Sequence, residues 1–254
     1  MLGAGDSGPA APTSVTLPMH VPTPRGIMVC PRRVWTGKEL DWVEPGECRE
    51  YIRGVGLDYL IHPAFEKGFS KLLTSYEPPR GKILLFLPCS YGKPYSQSFI
   101  HYMIRRTLWK NGLIDKVHEV MLTNAGVVPR ELDEHWPYAA YDWNPIYETP
   151  EIRECYRRVL ADRITAYLET FKSYYRGFAA YLRWDSDSWA ALRVAAERLG
   201  IRIENFAART VPNEEVREVS LGGLYQDADL VLVTRSSLAS LVQGLKKLVK
   251  ELGL

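Results

Sequence analysis

The sequence of 254 residues lacks any apolar run near the roughly 20 residues that a membrane-spanning helix requires. Its first residues lack the basic stretch and compact apolar segment of a secretory signal. The four cysteines, Cys30, Cys48, Cys89 and Cys155, lie far apart, without the close pairs of a zinc site. Reduced thiols, a cytoplasmic setting and no membrane partner are the expectation. P-loop, GxGxxG, HExxH and nucleophile-elbow sequences are all missing, so nothing supports nucleotide-dependent or zinc-hydrolase chemistry. No metal and no cofactor is expected, and no internal repeat is visible. Net charge is only +2, too small to announce a nucleic-acid partner for the whole chain. Local clusters do occur at Arg105, Arg106 and Lys110, at Arg153, Arg157 and Arg158, and at Lys246, Lys247 and Lys250. Each falls on an expected helix and reads first as a solvated face, and the charge permits an RNA partner without demanding one.

What is present is an ordinary globular composition, 46% hydrophobic and 24% charged, long enough to bury a sizeable core. Residues 1–26, rich in small residues and proline and without periodicity, read as a disordered lead-in. Residues 27–61 read as a short N-terminal cap or extension with turns at Cys30-Pro31, Glu44-Pro45-Gly46 and Gly54 to Gly56. From residue 62 to 254 a strand–helix rhythm sets in. His62-Pro63 opens a helix that Pro78-Pro79 closes. Ile83–Leu87 predicts a strand buried on both faces, ended by Pro88, with a helix over Ser98–Lys110 whose inner face carries Phe99, Met103, Ile104 and Leu108. Val117–Leu122 alternates as a half-buried strand, a long loop runs from about Thr123 to Thr149, and residues 150–172 form an amphipathic helix. Further strands are expected at Phe178–Leu182, Ile201–Phe206 and Leu230–Val233. Asp187 is expected to cap one helix, ending at Gly200, and Ser236 or Ser237 another. The fold class is α/β, a three-layer sandwich with a mostly parallel central sheet.

In such a sheet the C-terminal strand ends converge on one rim, where ligands bind. After the first core strand come Cys89, Ser90, Lys93, Tyr95, Ser98 and His101; after the second, Thr123, Asn124, Gly126, Arg130 and Glu131. Arg183, Asp185, Ser186 and Asp187 follow the third strand, and Thr234 to Ser237 the fifth. Cys89 is either a nucleophile or a small buried hydrophobe. Lys93 suits a phosphate or carboxylate. His101 is an acid–base group or a hydrogen-bonding strut. Arg130 and Glu131 pair with each other or touch substrate. Asp142 can accept from a base edge or act as general base. Trp136, Tyr138, Tyr141 and Trp143 stack a nucleobase or pack the loop onto the core.

At these residues the chain resembles the archaeosine synthase family, archaeal relatives of tRNA-guanine transglycosylase. The family pattern is Pro-Cys, three residues, Lys-Pro-Tyr, two residues, Ser, two residues, His, and Pro88-Cys89, Lys93-Pro94-Tyr95, Ser98 and His101 match it throughout. The flanks agree: His62-Pro63 and Tyr76 to Pro79 before it, Gly126 to Leu132 and Trp136-Pro137 through Tyr141-Asp142 after it.

The resemblance implies tRNA modification: a nitrogen nucleophile, lysine or ammonia from glutamine, adds to the nitrile of 7-cyano-7-deazaguanine in archaeal tRNA. Cys89, Lys93, His101 and Asp142 are then the candidate catalytic residues. Lys93 or Tyr95 can serve as donor to the developing charge and His101 or a carboxylate as base; a transient thioimidate on Cys89 is an inference from its thiol and not implied by the resemblance. Ser90, Tyr95, Ser98, Asn124, Arg130, Glu131, Tyr141 and Ser236 are the candidate substrate contacts. The resemblance also implies a uracil-DNA glycosylase-like core, with Lys93-Pro94-Tyr95 and Thr234 to Ser237 as its base-pocket loops. Full-length members add a transglycosylase-like barrel and a PUA domain, for which the chain has no room. A separate RNA-binding or transglycosylase subunit, or a homo-oligomer, is therefore expected beside tRNA or a modified nucleobase. A non-catalytic base- or tRNA-binding partner of another enzyme, and a glycosylase-like enzyme on modified bases, are the alternatives.

Overall fold

The computed structural model describes residues 18–23, 26–31, 40–44, 47–223 and 227–254, with side chains described from Ile52 onward. Strands β1 (Pro18–Thr23) and β2 (Gly26–Pro31) pair antiparallel, as do β3 (Leu40–Glu44) and β4 (Glu47–Arg53). The rest of the lead-in expected over 1–26 lies outside the described residues. A single turn, α1 (Leu57–Leu60), leads to α2 (Pro63–Ser75). His62 starts α2 by accepting from the Ala64 amide on Nδ1, and Pro63 occupies the first turn, where its missing N–H costs nothing.

The core sheet is built from β5 (Ile83–Pro88), β6 (Val117–Thr123), β7 (Gly126–Pro129), β9 (Gly177–Ala180) and β10 (Glu204–Asn205), in the order β10-β9-β5-β6-β7. β8 (Tyr141–Asp142) lies elsewhere and pairs parallel with β4. All core pairings are parallel except β6 with β7, a hairpin at the sheet edge. Gly126 closes that hairpin at φ 113°, and a Cβ there would stand 2.9 Å from Arg163 Cδ, so both backbone and space require glycine.

From β5 the chain crosses through α3 (Phe99–Lys110) to β6 on one side. Then α4 (Pro150–Phe171) and α5 (Asp187–Leu199) carry it to β9 and β10 on the other side. Right-handed crossovers in opposite directions put their helices on opposite faces. The packing agrees: α4 lies against α5, α1, α2 and β7, whereas α3 lies against α7 (Arg235–Leu252). A short α6 (Asn213–Val219) lies between α5 and α7 in the chain. Helices thus flank a mostly parallel sheet in a three-layer α/β arrangement.

Several sequence expectations change. β6 is buried along its whole length rather than alternating, as a strand flanked by β5 and β7 within the core sheet. Phe99 faces solvent; Ile100, His101, Ile104 and Leu108 form the buried side of α3. The strand expected over Ile201–Phe206 contracts to Glu204–Asn205. Leu230–Val233 is part of a 3₁₀ turn, Ala228–Val233, started by Asp227 accepting from the Asp229 amide. A short apolar run buries equally well in either conformation, so its pattern does not separate them. Ser186, not Asp187, caps α5 through the Trp189 amide, and Thr234, not Ser236 or Ser237, caps α7 through the Ser237 amide.

Ile83 to Leu87 are wholly excluded from solvent at the centre of the core. Leu85→Ala leaves a cavity among neighbours that cannot close over it and is expected to cost about 2–5 kcal/mol. Chemical denaturation measures this; a loss below about 1 kcal/mol would contradict the central placement of β5.

Candidate functional site

In an open α/β sheet the crevice forms at the strand ends where successive crossovers diverge. Here that point lies between β5 and β9. A cleft of about 590 Å³ opens there, lined by Cys89, Ser90, Tyr91 and Lys93 after β5, Asn124 after β6, and Arg183, Ser186 and Asp187 after β9. Trp143, Pro145, Glu148 and Arg153 close one end, and Asp227, Ala228 and Asp229 of the 3₁₀ turn close the other.

The loop side is set by a layer of phenols. Tyr95 and Tyr141 are buried, their hydroxyl oxygens 2.6 Å apart and each 3.6 Å from Cys89 Sγ. Burial, with the nearby thiol adding to it, pushes both phenols well above their usual range, so they stay protonated as donors. Lys93 Nζ lies 4.2 Å from the centroid of the Tyr141 ring and donates to the Ser90 carbonyl at 3.4 Å. Its ammonium rests on an aromatic face at the cleft rather than in open solvent.

Behind the loop runs a charged network. His101 is fully buried at the start of α3, where Ser98 Oγ accepts from its amide. Its Nε2 lies 3.0 Å from the Pro88 carbonyl and its Nδ1 2.9 Å from Arg130 Nη2. The arginine can only donate and the carbonyl only accept, so the imidazole is neutral with its proton on Nε2. Arg130 also donates to Glu119 (2.7 Å) and Asp133 (2.9 Å), and Asp133 accepts from the Ser96 amide at 2.7 Å. The loop is thus tied to the sheet at Pro88 and at Ser96. Burial, with the Arg130 charge, pushes His101 down to about 3.

A second network holds Glu131. It accepts from Tyr76 Oη at 3.0 Å and pairs with His118 Nε2 at 3.1 Å, while His118 Nδ1 meets Tyr175 Oη at 2.8 Å. Burial raises this carboxyl, but the His118 and Tyr76 contacts prevail and hold it down to about 2.

The cleft therefore gathers Cys89, Ser90, Lys93 and Asn124 from the sequence candidates, with Tyr95 and Tyr141 directly beneath. Ser98 is buried as the cap of α3 and lines a neighbouring cleft. The remaining candidates lie elsewhere. His101 is a strut, having neither a free lone pair nor access to the cleft. Arg130 and Glu131 are separately engaged and do not pair with each other. Asp142 pairs with Arg53 across β4 and β8, 3.3 Å from its Nε, because the parallel register sets the two residues side by side. Ser236 gives both its amide (2.8 Å) and hydroxyl (2.9 Å) to Glu215. Tyr138 and Tyr141 pack the loop onto the core, and Trp143 reaches the cleft edge. Cys89 is the free cysteine among the described residues. Cys155, expected to be reduced, is disulfide-bonded; a fold can bring two sulfurs within bridging distance whatever their spacing in sequence.

The sequence reading set Asp187 on this rim but missed the rest of the cleft's acidic wall, Glu148, Asp227 and Asp229. Asp187 accepts from Arg153 and Arg157, each at 2.7 Å, and Asp229 lies 2.9 Å from Arg183 Nε. Glu148 accepts from Trp143 Nε1 at 2.5 Å, and burial raises its carboxyl. Burial, with Asp227 adding and Arg183 opposing, pushes Asp229 up to about 6. Asp227 and Asp229 escaped notice because they precede an apolar run read as a strand; the Asp-x-Asp spacing at a strand end was the available signal.

Residues 66–220 match the family model described as a domain of unknown function, DUF5591, and the chain belongs to that family. The chain is 34% identical over 126 residues to the archaeosine synthase alpha subunit of Thermoplasma acidophilum, a match covering 44% of this chain and 24% of that one. The archaeosine synthase alpha subunit of Methanosarcina acetivorans is 42% identical over 73 residues, covering 28% and 11%. That of Thermococcus kodakarensis is 41% identical over 86 residues, covering 32% and 14%. These matches bear out the resemblance to archaeosine synthases. Each spans about a quarter or less of the relative's length. A crystal structure of a protein of unknown function aligns with a TM-score of 0.45 and 20% identity, covering 70% of this chain and 49% of the other.

The neutral strut has a measurable consequence. Folding lowers the His101 pKa, so below about 6.5 the unfolded chain binds the proton more readily. Stability is complete above about 6.5 and falls as pH drops toward 3, by at most about 1.4 kcal/mol per pH unit from this group. Denaturation midpoints between pH 4 and 7 are expected to fall less steeply for His101→Gln than for the unaltered chain. Equal slopes would contradict the buried neutral imidazole.

Proposed function

We propose that this domain acts in archaeosine formation in tRNA, adding a nitrogen nucleophile to the nitrile of 7-cyano-7-deazaguanine within the cleft at the β5 and β9 ends. One observation carries the reading: a cation on an aromatic floor, Lys93 over Tyr141, faces across one cavity the carboxylates Glu148 and Asp227 and the arginine-paired carboxylates Asp187 and Asp229. The similarity to archaeosine synthase alpha subunits supports the choice of reaction.

The chemistry needs little. A C–N bond forms at the nitrile carbon, one π bond of the nitrile breaks, and its electron pair moves to the nitrile nitrogen. That nitrogen gains a proton and the amine loses one; no group leaves and nothing is oxidised. Lys93 donates to the nitrile nitrogen as charge develops there, the position at which a fixed donor helps most. The carboxylate wall receives a cationic amine such as lysine. Asp229, raised to about 6, is matched to taking the amine proton near neutral pH. In the covalent variant Cys89 adds first, and the amine displaces it from a thioimidate.

The test is nucleoside mass spectrometry of cyano-modified tRNA incubated with the chain and lysine or glutamine. An amidine-type product is expected, with Lys93→Ala and Asp229→Asn each reducing its rate by about 10²-fold or more. An unchanged nitrile despite tRNA binding would instead favour a non-catalytic tRNA-binding partner. Release of free base would favour a glycosylase-like enzyme. Loss of product in Cys89→Ala selects the covalent variant, and its retention the direct one.

The pH dependence follows from the role of Asp229. A base works deprotonated, so the rate is expected to rise with pH through about 6, with that limb missing in Asp229→Asn. A rising limb that persists in the variant would remove Asp229 from the proton transfer.

A further inference from the structure

We infer that the outer face of α3 is a platform for single-stranded RNA, leading away from the cleft; this rests on the tRNA reading above and adds a binding surface to it. Phe99, Tyr102, Arg106, Trp109 and Lys110 recur at helical spacing on the side of α3 that faces solvent. The rings are far too exposed to be core residues: Phe99 and Tyr102 at 55% and Trp109 at 69%. Isolated exposed rings are ordinary, but three along one helical stripe form a contiguous patch of the kind that marks an interaction site.

Charge selects the occupant. The helix, Phe-Ile-His-Tyr-Met-Ile-Arg-Arg-Thr-Leu-Trp-Lys, contains no acidic residue. Arg105 is engaged by buried Glu119, whereas Arg106 and Lys110 have no ion-pair partner among the described residues. Lys246 of α7 is held at the far end of the stripe, where it donates to Asn111 Oδ1 at 3.2 Å. Rings interleaved with unpaired cations and no carboxylate suit a polyanion with stacking faces, which is single-stranded nucleic acid.

Position supports the same occupant. A second, mostly apolar cleft of about 580 Å³ begins at Phe99 and Leu221 and shares Ser90, Tyr91 and Asp227 with the candidate active cleft. Tyr91, 75% exposed, stands between the two. From Phe99 to Trp109 the helix runs about 15 Å, the length of about four nucleotides at ~3.4 Å each. A base seated in the cleft would leave its flanking strand lying along these rings.

The experiment is fluorescence anisotropy with a labelled 12-nucleotide oligouridylate, which carries no nitrile and so reports on the surface alone. Tyr102→Ala and Trp109→Ala are each expected to weaken binding about fivefold or more, while Trp109→Tyr, which keeps a stacking ring, largely retains it. Arg106→Ala and Lys110→Ala are each expected to flatten the dependence of log affinity on log salt by about one unit or slightly less. Lys71→Ala, which removes an exposed cation on α2 away from this face, is expected to bind the oligonucleotide as the unaltered chain does. Absence of binding by the unaltered chain, or equal binding by the face variants, would overturn the proposal. So would salt-independent self-association, seen by sedimentation and lost in Trp109→Ala without effect on RNA affinity, since the face would then belong to a protein contact. An unchanged nitrile in the mass-spectrometric assay leaves this result standing, so the two readings fail separately.

Discussion

The arrangement depends on one buried hydrogen bond, from His101 Nε2 to the carbonyl of Pro88. Proline ends β5 without a donor of its own, and the loop beyond it has no strand partner to hold its course. The imidazole reaches back from α3 to fix the last carbonyl of the strand, and Arg130 fixes the imidazole by donating to its other nitrogen. Arg130 in turn joins Glu119 on β6 and Asp133, which captures the Ser96 amide. Every group in this chain of contacts has a partner, as a buried polar network must if it is to rigidify a loop. The consequence is geometric: Cys89 and Lys93 lie at the cleft between two tethered points, Pro88 and Ser96.

This division of labour explains why a dense cluster of reactive side chains is not a dense cluster of catalysts. Within the stretch from Pro88 to His101, three of the chemically capable groups are turned inward. Tyr95 forms the floor with Tyr141, Ser98 caps a helix, and His101 serves as a strut. The groups that face the cleft are Cys89, Ser90, Tyr91 and Lys93, and the carboxylates opposite them come from segments nearly 60 to 140 residues later in the chain. A pocket of this kind is assembled by the sheet rather than by the motif.

Much of the fold was legible beforehand. A five-residue apolar run before Pro88, the stripe of α4 and the glycine after α5 each carry a local signal with one physical meaning. The 3₁₀ turn at Ala228–Val233 did not, because burial alone imposes no period on four apolar residues. The site was legible only in part, for a related reason. Spacing located the loop and its convergence with the other strand ends, but not the direction in which each side chain points. Asp142 looked like a base, yet the parallel pairing of β8 with β4 commits it to Arg53. Asp229 went unnoticed beside the Leu230–Val233 run read as a strand, yet the 3₁₀ turn presents it to the cleft.

The central claim is that the modified base sits in the cleft between the Pro88–Tyr95 loop and the Ala228–Val233 turn. A crystal structure of the chain with 7-cyano-7-deazaguanosine tests it most directly. The expected result is density for the base between Cys89 and Asp229, with the nitrile nitrogen within hydrogen-bond distance of Lys93 Nζ. Density for the base against Phe99 and Leu221 in the apolar cleft, or beside Asp142 and Arg53, would contradict it.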